Sequence, residues 1–250
     1  MQEPTLSIKM SRILCSHSFQ EPILLLISEI FHSPQGEGQW IGVPSIFIRT
    51  SGCNLRCWFC DTPYTSWDPE GEQMSVDEIM EHIGQYDCEH VVVTGGEPMV
   101  PPQVETLTQR LRAAGKVITI ETAGTIFRPV ESDLMSISPK LANSIPLENE
   151  EWAKRHAERQ DQPEVIRGLV KEYPYQIKFV VDQREDLRDI EAYLSRYPEI
   201  NHSHVYLMPQ GTTAEMLAER MEWLEPAAEQ MGCQVTRRMH IELWGNVRGK

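Results

Sequence analysis

The stretch Thr50-Ser51-Gly52-Cys53-Asn54-Leu55-Arg56-Cys57-Trp58-Phe59-Cys60-Asp61-Thr62 sets three cysteines at C-x3-C-x2-C spacing, directly after the β-type run Val43 to Arg49. Three thiols on so short a loop converge on one point. Pairing two of them as a disulfide leaves the third over, so a shared metal centre is the economical reading. The loop holds no fourth Cys or His. A structural zinc closes its shell with four protein ligands, whereas a four-iron cluster held by three cysteines leaves one iron open. Thiolates suit iron–sulfur chemistry, and S-adenosylmethionine offers such an iron an amino and a carboxylate group. Two blander readings stand beside this one: a zinc loop with His32 or His82 folding back as fourth ligand, and cysteines that are merely buried.

Outward from the loop, hydrophobic patterning alternates between the two regular structures. Ile23 to Phe31 precedes it as a strand, and the glycine- and proline-bearing Ser33-Pro34-Gln35-Gly36-Glu37-Gly38 makes a tight connection. After it, Ser75-Val76-Asp77-Glu78 is a capping box that opens a helix to about Tyr86. His90 to Thr94 is a strand that ends in Gly95-Gly96-Glu97-Pro98. Pro101-Pro102 starts the next helix and Gly115 stops it. Strands follow at Lys116 to Glu121, Leu134 to Ser138, Tyr175 to Val181 and Val205 to Met208. Helices are expected at about Gln183 to Tyr197 and from Thr213 to Gly232. This rhythm predicts an α/β fold with a mostly parallel sheet. The charged stretch at about 143–172, partly helical over Glu150 to Gln160, reads as an insertion on the rim. In such folds ligands gather at the carboxyl ends of the strands, and six unusual loops, including Gln35-Gly36-Glu37, the cysteine loop, Gly95-Gly96-Glu97 and Met208-Pro209-Gln210, are expected to face that end together.

At 250 residues, with 40% apolar and 24% charged residues, the chain is an ordinary globular protein of one large domain, residues 23–250. Residues 1–22 read as a poorly ordered extension. A net charge of −14 argues against a nucleic-acid partner, and the longest apolar run, Ile23 to Ile27, is far too short for a membrane span. Cys15, Cys88 and Cys233 are scattered and expected to be buried thiols. A reducing, cytoplasmic location follows if the cluster is real. Glu37 and Glu121 read either as residues that order their loops or as acceptors for a ligand's N–H edge, and Trp58 and Phe59 either as plain packing or as a shield for the cluster.

The cysteine spacing, the Gly95-Gly96-Glu97 loop, Arg49, Thr62, Ser138-Pro139-Lys140 and the ending Leu243-Trp244-Gly245-Asn246 together resemble the 7-carboxy-7-deazaguanine synthases of the radical S-adenosylmethionine superfamily. The resemblance runs from about Ile27 to Lys250, the charged stretch excluded. It implies an incomplete, modified β/α barrel of partial TIM type and a homodimer. The implied reaction turns 6-carboxy-5,6,7,8-tetrahydropterin into 7-carboxy-7-deazaguanine and ammonia by a radical ring contraction, in queuosine and 7-deazapurine biosynthesis.

Carried over by position, the resemblance implies that Cys53, Cys57 and Cys60 hold a 4Fe-4S cluster. Phe59, Cys60, Asp61, Gly96, Ser138, Pro139 and Lys140 would line the S-adenosylmethionine site. Pro34, Gln35, Gly36, Arg49 and Thr94 would meet the pterin, and the Thr62 hydroxyl would contact Mg²⁺. Arg49 offers a planar fork to a carboxylate, and Thr62 a hard oxygen. An electron donor such as flavodoxin or ferredoxin is the implied protein partner. The rival readings are a glycyl-radical-enzyme activating enzyme and a zinc-binding interaction module.

Overall fold

The computed structural model describes residues 24–249; the expected extension at 1–22, with Cys15, lies outside the described residues. Its strands are β1 (Leu24–Pro34), β2 (Pro44–Thr50), β3 (Glu72–Ser75), β4 (His90–Gly95), β5 (Val117–Thr122), β6 (Leu134–Ile137), β7 (Tyr175–Val181), β8 (Val205–Pro209) and β9 (Gln234–Val235). They form one open sheet in the order β3-β1-β2-β4-β5-β6-β7-β8-β9. All neighbours from β2 to β9 are parallel, while β1 runs antiparallel to both β2 and β3. The helices are α1 (Pro63–Ser66), α2 (Val76–Ile83), α3 (Val104–Ala113), α4 (Glu150–Arg159), α5 (Pro163–Glu172), α6 (Asp186–Arg196), α7 (Ala214–Met231) and α8 (Met239–Trp244). None is long and apolar enough to cross a membrane.

Residue alternation along the parallel strands builds two unlike faces. Ile46, Ile48, Val91, Val93, Ile118, Ile120, Met135, Ile137, Ile177, Phe179, Val181, Val205 and Leu207 belong to the core packed under the helices. The intervening positions include Thr94, Glu121, Ser136 and Lys178, which line a cavity on the opposite face. A period of two therefore separates a wall of β-branched side chains from a wall of functional groups. Both are out of solvent, as in parallel sheets generally.

The antiparallel β1 corrects one expectation. Pro34 pairs with Pro44, so the loop 35–43 leaves at the amino ends of the parallel strands. It therefore does not join the carboxyl-end loops. It folds back across the inner face instead, where the Gly38 N–H donates to Thr236 Oγ1 and the Gln39 N–H to Gln176 Oε1 at 2.7 Å. The charged stretch at about 143–172 carries α4 and α5 within the β6-to-β7 crossover. The capping box at Ser75 and Glu78 forms with both of its hydrogen bonds. Cys88 and Cys233 are half-buried rather than buried, and neither forms a disulfide.

The loop after β4 packs against the cysteine loop through backbone alone. The Gly96 N–H donates to Thr50 O at 3.1 Å, and the Glu97 N–H to Gly52 O at 2.9 Å. A Cβ on Gly96 would stand 2.2 Å from Gly52 O and 2.5 Å from Thr65 O, neither of which can swing aside. Gly96→Ala should thus lower the urea unfolding midpoint of the apoprotein, through a stability loss of about 1–3 kcal/mol, as overpacking does. An unchanged midpoint would show that the two loops are not pressed together.

Candidate active site

A cavity of about 560 Å³ opens on the inner face of the sheet. One wall is the cysteine loop. Cys53, Cys57 and Cys60 all line it, each as a free thiol. The loop is shaped by its own contacts: the Leu55 N–H points at Cys53 Sγ at 3.4 Å, and Trp67 Nε1 donates to Cys57 O at 3.1 Å. Arg56 Nη1 donates to Cys53 O and Leu55 O, both at 2.7 Å. Burial pushes the Cys53 thiol up to about 12, with Glu97 adding to the rise, and pushes Cys57 up to about 12 as well. Neither sulfur is a thiolate by itself, so a metal centre must displace their protons on binding. Three sulfur donors on a backbone already ordered, facing one cavity, fit a cluster held at three corners.

The facing wall is a paired set of charges. The Lys178 side chain, 4% exposed, donates to Glu37 Oε2 at 2.8 Å and to Glu121 Oε1 at 3.2 Å. Arg238 Nε donates to Glu37 Oε1 at 3.2 Å, its Nη1 to Gly211 O at 2.7 Å, and its Nη2 to Asp61. Burial alone would push the Glu37 pKa up, but Lys178, Arg238 and His240 hold it well below the carboxylate range. Burial would likewise discharge Lys178, yet Glu121 and Glu37 keep it protonated above the ordinary lysine value. Thr94 Oγ1 donates to Glu121 Oε2 at 2.9 Å, and Gln35 Nε2 reaches Glu121 Oε1 at 3.4 Å. Three carboxylates thus face two cations, which leaves acceptor capacity for donors on a ligand.

Among the residues expected from sequence, Pro34, Gln35, Gly36, Glu37, Arg49, Cys53, Cys57, Phe59, Cys60, Asp61, Thr62, Thr94, Gly96, Glu121, Ser138 and Lys140 all line this cavity; Pro139 does not. Arg49 is engaged through Nε with Glu29 at 2.6 Å, and Tyr64 Oη donates to the same carboxylate at 2.9 Å. Lys140 Nζ donates to Ser138 O at 2.8 Å. Trp58 faces outward, 52% exposed, whereas Phe59 lines the cavity. His32 stacks on Tyr86, and neither it nor His82 lines the cavity. Met208 and Gln210 line it as well.

Sequence reasoning missed Lys178, Arg238 and His240. A lysine inside the β-run Tyr175 to Val181 was a detectable signal, because an unpaired ammonium does not belong in a buried strand. Arg238 and His240 lie past the last recognisable strand and carried no signal. The segment Asn246 to Gly249 also lines the cavity, and Arg248 stacks on Tyr64 at 4.2 Å, so the tail does reach the site.

The chain is similar to known proteins. The model of the Radical SAM superfamily matches residues 47–224. The chain is 46% identical over 228 residues to a 7-carboxy-7-deazaguanine synthase of Rhodopirellula baltica, covering 90% of this chain and 88% of that one. It is 43% identical to the Halobacterium salinarum protein of the same description, over 89% of this chain and 91% of the other. Among solved structures, QueE from Escherichia coli superposes with a TM-score of 0.60 at 25% identity, covering 87% of this chain and 95% of that chain.

The charge wall makes its own prediction. Lys178→Met leaves Glu37 and Glu121 facing each other in a low-dielectric site. The loss should be about 3–5 kcal/mol of apoprotein stability at neutral pH, read by urea denaturation. A loss under about 1 kcal/mol would mean that water or a ligand already screens the two carboxylates.

Proposed function

The chain belongs to the 7-carboxy-7-deazaguanine synthase family of the radical SAM superfamily, and on that footing we propose a division of labour within its cavity. The chain is an enzyme of queuosine and 7-deazapurine biosynthesis that converts 6-carboxy-5,6,7,8-tetrahydropterin into 7-carboxy-7-deazaguanine and ammonia. The activating-enzyme and zinc-module readings are set aside with that assignment. The observation that carries the site reading is that the cysteine loop and the carboxylate–ammonium wall open on one cavity.

Cys53, Cys57 and Cys60 are the residues that would hold a 4Fe-4S cluster. When bound, cluster and S-adenosylmethionine supply a 5′-deoxyadenosyl radical. Everything else is alignment by this chain's own groups. Glu37, kept charged by Lys178 and Arg238, and Glu121, paired with Lys178, accept from the N–H edge of the pterin. Gln35, its amide tied to Glu121, and Thr94 fix the carboxylate orientation. Arg49 keeps its terminal nitrogens for the substrate carboxylate while Glu29 holds its Nε. Ser138, Lys140, Gly96, Phe59 and Asp61 border the S-adenosylmethionine side. Thr65 Oγ1 donates to Thr62 O at 2.9 Å, and Thr62 Oγ1, 3.8 Å from Cys60 Sγ, offers a hard oxygen for Mg²⁺ at the boundary between cluster and substrate. Burial of the charge wall excludes water from the reacting carbon.

We assign the working form as a cytoplasmic homodimer reduced by a one-electron donor of flavodoxin or ferredoxin type. The domain is residues 23–250, with 1–22 as an extension.

Anaerobically reconstituted protein should carry about four iron and four sulfide per chain and turn over the carboxy-tetrahydropterin with S-adenosylmethionine and reductant. Cys57→Ala should lose both iron and turnover, and normal iron content in that variant would remove Cys57 from the cluster. Thr62→Val should keep its iron and lose most of its response to added Mg²⁺. An unchanged Mg²⁺ titration would take Thr62 out of the metal site.

A further inference from the structure

Cys57 is gripped from behind by residues far along the chain. His156 on α4 is fully buried, and its Nδ1 lies 3.1 Å from the Arg56 backbone nitrogen, a hundred positions away. Its Nε2 lies 2.9 Å from Ser144 Oγ, and Ser144 Oγ lies 2.6 Å from Leu141 O. A backbone N–H can only donate, so Nδ1 carries the lone pair and Nε2 the proton. The Ser144 hydroxyl accepts that proton's hydrogen bond and donates its own to Leu141 O. Burial supports the same neutral tautomer by holding the imidazole down to about 4.

The peptide on the other side of Cys57 is bound to the same cluster of side chains. The Trp58 N–H donates to Ser144 O at 3.2 Å, and Trp58 Nε1 to Asn143 O at 2.7 Å. Asn143 is itself fixed, because its Nδ2 donates to Val180 O at 3.1 Å and to Asp186 Oδ2 at 2.9 Å. The backbone N–H groups of both residues that flank Cys57, Arg56 and Trp58, therefore end on the β6-to-β7 crossover. The Arg56 N–H, turned to His156, cannot turn to a sulfur as the Leu55 N–H does toward Cys53.

We propose that His156 is a positioning residue for the iron–sulfur site: through its Nδ1 lone pair it holds the Arg56 N–H and so the Leu55–Arg56 peptide, and with Ser144, which holds the Cys57–Trp58 peptide, it presents Cys57 at a fixed angle before iron arrives. Outer partners that orient ligands in this way commonly govern metal retention. The proposal rests on the cluster assignment of the cysteine loop, and the experiment separates the two.

Iron release to a ferrous chelator is followed in anaerobically reconstituted wild type, His156→Ala, His156→Asn and His156→Gln, alongside melting of each apoprotein and the spectrum of the reduced cluster. Asn can place an acceptor where Nδ1 stands, whereas Gln carries its polar atoms one carbon further out. His156→Ala and His156→Gln should lose iron about tenfold faster than wild type or more, with a broadened reduced-cluster signal, and His156→Asn should return close to the wild-type rate. Should His156→Ala fail to fold, Ser144→Ala removes the acceptor of the His156 Nε2–H without emptying the site, and it too should release iron faster. Variants that all keep iron as wild type does would overturn the proposal. So would His156→Asn releasing iron as fast as His156→Gln, since the acceptor at Nδ1 would then be irrelevant. Wild-type protein that takes up no iron would overturn the cluster assignment and the proposal together.

Discussion

A single ammonium group organises the inner face of this sheet. Lys178 is out of water and can stay charged only if carboxylates come to it, and two do, from separate parts of the chain. Glu121 arrives on β5, a strand that does not neighbour β7. Glu37 arrives on the loop after β1, which has no covalent reason to cross the cavity. The requirement to neutralise Lys178 gives that loop its reason, and Arg238 extends the chain of pairing to Asp61 beside the cysteines. Removing Lys178 takes from Glu121 the cation it is paired with and leaves Glu37 with Arg238 alone. The network ties the substrate-facing loop, the middle of the sheet and the cysteine motif into one rigid unit, a precondition for aligning a short-lived radical with one C–H bond.

The cysteine loop shows the complementary strategy. Burial disfavours ionisation of Cys53 and Cys57 while no metal is there. The surrounding peptide groups are almost all committed elsewhere: to Arg56, to Trp67, to Gly96 and Glu97, and to the crossover around Ser144 and His156. A loop so restrained loses little conformational freedom on metal binding, which offsets part of the cost of deprotonating three thiols.

Much of this was legible in the sequence because it depends on local pattern. The strands were readable from β-branched runs, the α2 start from Ser75 and Glu78, the α7 end from Gly232, and the cysteine loop from spacing alone. The Gly36 and Gly96 loops stood out by composition, whereas Arg49 and Thr94, on β2 and β4, were legible only through the family resemblance. Pairings between distant segments were not. Nothing within Leu24 to Pro34 says that β1 runs against its neighbour, so the Gln35 loop was expected at the wrong end of the strands. Lys178 interrupts an apolar run, but its two partners lie 57 and 141 positions away, and no local rule connects them. The same holds for Arg238, whose partner Glu37 is 201 positions distant. The short elements β3, α1, β9 and α8 carry too few residues to display a period at all.

The openness of the sheet explains why the end of the described chain matters. A closed barrel would join its last strand to its first, yet here β3 and β9 are both edges. The segment after β9 crosses the gap between them in two steps. Next to α8, the Met239 N–H donates to Gly36 O at 2.9 Å, and His240 fills the space that a Cβ on Gly36 would need. Further on, Arg248 stacks on Tyr64, bonds to Glu70 at 3.1 Å and approaches Glu29, the residue that also holds Arg49. Non-strand backbone thus substitutes for the missing wall. It is held partly by side chains and partly by single backbone bonds rather than by a continuous hydrogen-bonded ladder.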